Sequence, residues 1–328
     1  MILRAKLLRQ PPVAVTSAAL VAPAAPVPNW LRAAAAGPQS LEDATFAAAA
    51  ALTALDAVVR RQERWAGAWR QRLALAAAAV AAKRVGRVED AAALRDTLLL
   101  TRPGDEVGPT GRMLLAWRTL ASRPVATLVS ETVLADVAMD LGSGLDKEAL
   151  GQIGDEIRPL AGAVGNAVAG AVEAIAVLER RDSRAARELG PWLADAVLAD
   201  RLGWAHAVPL LGIQAVAGGG GAAHAERQSA QPSRQRIFAA YARAALQALD
   251  LAAELGRRAD RLLVVAPKLR AKGSDAVVDK LLTDDAVVAS QDVPGMSDRG
   301  LRRLYDRLVS LSAVRELSGR TTFRIYGL

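Results

Sequence analysis

SDAVVDKLLTDDAVVASQDVPGMSDRGLRRLYDRLVSLSAVRELSGRTTFRIYGL, residues 274–328, carries the clearest local pattern in the chain. SDAVVDKLL (274–282) reads as a short helix, and DDAVVAS (284–290) as a second one. QDVPGM is a turn, and Ser297 then caps a third helix, with Asp298 in its first turn suiting the helix dipole. Leu301, Leu304, Leu308 and Leu311 recur at a spacing that puts them on one helical face. RELSGRTTFRIYGL reads as two strands around a Ser-Gly turn. The segment is therefore expected to be a winged helix-turn-helix with a small two-stranded wing.

Its charge points to a partner. From Ser297 onward there are seven arginines (299, 302, 303, 307, 315, 320 and 324) against Asp298, Asp306 and Glu316, a local charge of +4, half of the formal +8 of the whole chain. A guanidinium is a flat fork that can give two hydrogen bonds to a phosphate or to a guanine edge. A helix bearing such groups on its open face fits the major groove of DNA, and an arginine in the wing can reach the backbone beside it. The expected contacts are Arg299, Arg302, Arg303 and Arg307 on the helix, with Arg320 and Arg324 on the wing. Two blander readings stand beside this one. A winged helix can dock a protein instead, and the arginines can be an ordinary solvated face.

Working outward, the rest of the 328 residues reads as helix after helix. Hydrophobic content is 52% but aromatics only 4%, and the Ala-rich runs favour close-packed helices. The fold class is mainly α, a multi-helix bundle carrying the C-terminal winged segment. Residues 236–273 form a long helix and connector. GGGGAAHAERQSAQPSRQ (218–235) is a Gly-rich flexible loop. Residues 40–217 form a helical domain that opens with Ser40 as a cap and Phe46, Leu52 and Leu55 on the apolar side. Residues 1–39 are a Pro/Ala-rich arm; prolines 11 and 12 break the apolar run that would otherwise resemble a signal peptide. AGAVGNAVAGAVEAIAVL (161–178) is long enough to approach a membrane span, but Asn166 and Glu173 within it favour a buried helix.

Little here suggests catalysis. Without cysteine there is no thiol chemistry and no thiolate zinc site. The two histidines, His206 and His224, lack a ligand partner at helical spacing. GGGG at 218–221 lacks the GK[ST] of a phosphate loop, and the glycines of GAVGNAVAG more simply let helices approach closely. Asp136 with Asp140, and Asp195 with Asp200, are acid pairs that could hold Mg²⁺ in a divergent enzyme. Neither cofactor nor metal is expected.

Three blocks together resemble a known family. Thr45–Arg118 looks like its opening, Pro191–Leu211 (PWLADAVLADRLGWAHAVPLL) like its middle signature, and Met296–Leu328 like its end. The family is domain-of-unknown-function family 1403, bacterial and often plasmid-encoded. The closing motif V-R-E-L-S-G-R-x-x-F-R-x-Y-G is the most specific part. It also resembles the end of a second uncharacterised family that is reminiscent of Fic-type proteins. The Fic active loop is absent, since His206 is followed by Ala207 and Val208 with no Gly-Asn-Gly-Arg turn. The resemblance implies no activity.

The sequence thus predicts a cytoplasmic, non-membrane protein that binds double-stranded DNA, as a regulator or a maintenance factor of a mobile element. A homodimer would suit a palindromic site. The alternatives are a helical scaffold whose winged end docks a protein, and a metal-dependent enzyme.

Overall fold

The computed structural model describes residues 26–102, 104–214, 234–269, 271, 273–289, 293–319 and 323–328. Most of the expected Gly-rich loop, with His224, lies outside them. Within them the protein is mainly helical, with a small antiparallel sheet near residue 328.

Helix α1 (Asn29–Ala36) falls inside the expected arm. It buries Leu31 and Ala35, and Arg32 grips Asp250 with two hydrogen bonds of 2.9 and 2.6 Å. Helix α2 (Leu41–Arg60) begins where Ser40 accepts from the Asp43 N–H while the Asp43 carboxylate accepts from the Ser40 N–H. Ala44, Ala47, Ala48, Ala51 and Leu55 are fully buried along one stripe. They face α12 (Arg234–Val265), whose Ala240, Ala244, Ala245 and Ala248 are equally buried. Small side chains on both sides let the two axes approach, so the seam excludes water along its length. Phe46, expected inside, is 60% exposed, with its ring 5.9 Å from that of Trp30. An Ala-lined seam leaves no room for a phenyl ring.

Helices α3 (Ala66–Arg84), α4 (Ala91–Leu100) and α5 (Gly108–Ser122) pack as neighbours around Trp69 and Trp117. Trp69 Nε1 donates to Ala248 O at 3.0 Å, which ties α3 to α12. After Pro124 come α6 (Val125–Leu128) and α7 (Glu131–Asp140). Then come α8 (Lys147–Ala161), α9 (Ala167–Glu179), α10 (Ser183–Glu188) and α11 (Gly190–Arg201). Pro191, lacking an N–H, separates α11 from α10. Asp182 caps α10 by accepting from Arg184 and Ala185. The apolar run at 161–178 is split by a loop before α9, and among the described residues no helix is long and apolar enough to cross a membrane.

The last elements are α13 (Ser274–Thr283), β1 (Val287–Val288), α14 (Asp298–Ser310), β2 (Arg315–Glu316) and β3 (Ile325–Gly327). The sheet has the order β1-β3-β2 and is antiparallel throughout, with Val287 opposite Tyr326 and Glu316 opposite Tyr326 on the other side. Two expectations are corrected here. The sheet is not the expected two-stranded wing, because β1 adds a third strand. The second helix expected at 284–290 is that strand: β-branched Val287 and Val288 pair with β3, which an isolated seven-residue helix cannot match. A strand therefore lies between α13 and α14 in place of the expected helix pair.

Candidate nucleic-acid interface

Helix α14 is positioned by its apolar face. Ser297 Oγ accepts from the Gly300 N–H at 3.2 Å and starts the helix. Leu301, Leu304, Tyr305 and Leu308 are buried, and the Tyr305 ring stacks on Tyr326 of β3 at 4.3 Å with 2° between the planes. Burial pushes the Tyr305 hydroxyl well above its usual range, so it stays neutral. Leu311, expected on this face, lies past the helix end and is 45% exposed.

The opposite face is open. Arg299, Arg303 and Arg307 recur every four residues, and Arg302 sits beside them; all four are exposed. None of the four has an ion-pair partner among the described residues. Asp306 shares the face, but it is drawn toward Arg324 at 3.5 Å. Arg324, expected as a wing contact, also lies 3.9 Å from Glu316, so its charge is shared with two carboxylates. Arg320 lies outside the described residues.

What seats this unit on the helical body went unread in the sequence. Asp285, just before β1, is completely buried. Its Oδ1 accepts from Arg118 of α5 at 2.5 Å, and its backbone carbonyl accepts from Arg72 of α3 at 2.8 Å. Burial lowers the Arg72 pKa, and the Asp285 charge opposes that shift. Arg95 of α4, only 7% exposed, donates to Leu317 O at 3.2 Å. On the other flank Arg258 of α12 donates to Leu328 O at 3.1 Å and pairs with Glu254, which also lies 3.9 Å from Arg315. Gly327 is needed in this joint, since a Cβ there would sit 2.7 Å from Asp285 O.

The other sequence candidates are scattered. Asp136 and Asp140 share α7, where partial burial raises the Asp140 pKa and Arg112 opposes it. Among the described residues no group of three or more potential ligands gathers for a metal. His206 forms a β-bridge with Pro124, and burial, followed by the nearby Arg70, lowers its pKa. Asp195 is buried beneath the turn at 210–212: Leu210 N, Leu211 N and Gly212 N donate to it at 2.8, 2.9 and 3.3 Å. It organises the chain and does not face solvent. Asp200 is not brought into that pocket of donors.

No curated protein matches the chain. A family model does, over residues 17–328, nearly the whole length and all three blocks singled out above. The chain belongs to the family described as protein of unknown function (DUF1403).

Proposed function

We propose that the C-terminal unit binds double-stranded DNA, with α14 in the major groove and Arg299, Arg302, Arg303 and Arg307 contacting bases or phosphates. The observation that carries this reading is the row of four exposed arginines without ion-pair partners among the described residues, opposite a face buried through Leu301, Leu304, Tyr305 and Leu308. Unpaired guanidinium groups on a rigid helix lose little internal bonding when they meet a phosphate backbone. Arg324 has the lesser role of holding the strand beside that helix. A homodimer would present two such helices to a palindromic site, and a cytoplasmic regulator would use it in that way.

Fluorescence anisotropy on random duplex and on duplex from upstream of the gene, each at two salt concentrations, tests this. The expected result is binding that weakens steeply with salt, because each neutralised phosphate releases a counterion. No binding at low salt contradicts it.

A second reading, a protein-docking end, is favoured by one observation. Val309, Leu311 and Phe323 are 39%, 45% and 63% exposed on the same unit. A partner that co-purifies while DNA binding is absent would select it.

A further inference from the structure

Away from the C-terminal unit, a cleft of about 450 Å³ opens between α2, the start of α9 and the end of α11. Its floor is apolar, made by Ala48, Leu52, Val168 and Phe238, all buried. Its wall carries two arginines held in place by the fold. Arg201 donates through Nε to Leu160 O at 2.6 Å and through Nη1 to Asn166 O at 3.0 Å. Arg60 donates through Nε to Asp56 at 2.7 Å and through Nη2 to Leu202 O at 2.8 Å. Asp56 is fixed in turn by the Trp204 indole N–H at 2.8 Å. Each guanidinium keeps one terminal nitrogen, Arg201 Nη2 and Arg60 Nη1, that makes no hydrogen bond among the described residues.

A glycine makes room for this arrangement. Gly170, inside α9, lies under the Arg201 side chain, and a Cβ there would be 2.3 Å from Nε and 2.4 Å from the guanidinium carbon. Glycine in a helix interior is less favourable than alanine. That position therefore favours an arginine lying across the helix over a better helix former. Two guanidinium groups against the one Asp56 carboxylate leave the lining with a single excess positive charge.

We propose that this cleft binds a small organic monocarboxylate with an apolar tail, the carboxylate on Arg201 and Arg60 and the tail over Leu52 and Phe238. The size falls in the range of about 300–1,000 Å³ usual for small-molecule sites, which in bundles form between helices. The proposal does not rest on DNA binding and stands or falls separately.

Titration calorimetry with octanoate, with octanol as its uncharged counterpart, tests it on the full chain. Octanoate binds one to one, and octanol binds at least about tenfold more weakly. Arg201→Gln lowers octanoate affinity by about tenfold or more, as befits loss of a charge-assisted bond. Ala49→Phe, at an exposed rim position where folding is not at stake, fills the cleft and has the same effect. No saturable heat up to about 10 mM octanoate, equal affinity for octanol, or unchanged affinity in both variants overturns it.

Discussion

Two aspartates are buried in this molecule in opposite ways. Asp195 sits in the helical body and is held by three backbone N–H groups, with no arginine among the described residues hydrogen-bonded to it. Asp285 sits where the C-terminal unit meets the body and is held by guanidinium groups from α3 and α5. The first organises a turn within a region where α2 meets α12 in a seam of buried alanines. The second joins two regions through directional polar contacts. Apolar burial is non-directional, so a seam of alanines tolerates small adjustments. A residue whose carboxylate meets one guanidinium and whose backbone carbonyl meets another has one good geometry. The joint therefore constrains how the C-terminal unit meets the body.

Breaking the joint gives the largest expected effect. Asp285→Ala removes one partner of a buried pair and strands the Arg118 charge, which costs about 3–5 kcal/mol. Urea unfolding measures it, and the change should be seen first in near-ultraviolet signals from Tyr305 and Tyr326. A loss under about 1 kcal/mol would mean that the joint behaves as an exposed ion pair.

The body's aspartate sharpens the contrast through pH. Burial raises the Asp195 pKa to about 7, against the opposing effect of its three N–H donors. The folded protein then holds a proton there that the unfolded chain, titrating near 3.8, has already lost. This contribution is present in full below the unfolded pKa and is lost as the pH rises toward 7. The unfolding free energy should fall by about 1 kcal/mol between pH 6 and pH 7 from this group alone. In Asp195→Asn that part of the slope disappears. Identical slopes in the two proteins would place Asp195 in its charged form throughout.

The same contrast explains what could be read from the sequence. Helices with local signals were legible: Ser40 before α2, Ser297 before α14, and the apolar repeat of Leu301, Leu304 and Leu308, though its fourth member, Leu311, is exposed. The arginine face of α14 was legible because helical spacing alone puts Arg299, Arg303 and Arg307 together. The third strand was not, since two valines pair only once β3 is in place. The joint was not either: Arg118 and Asp285 are 167 residues apart, and Arg95 reaches a carbonyl 222 residues away. Nothing local marks a surface-looking arginine as one that will be buried. Gly170 was visible as a close-approach glycine, but what approaches it is a guanidinium from α11.

The central claim is that the open arginine face of α14 is the DNA contact. Fluorescence anisotropy of Arg302→Ala/Arg303→Ala on duplex DNA, beside Lys147→Ala/Arg158→Ala on α8 as a control that removes the same charge, tests it most directly. If the face is the contact, the α14 variant loses about tenfold or more in affinity and its salt slope flattens, while the control matches the wild type. Equal losses in both variants, or none in either, would contradict it.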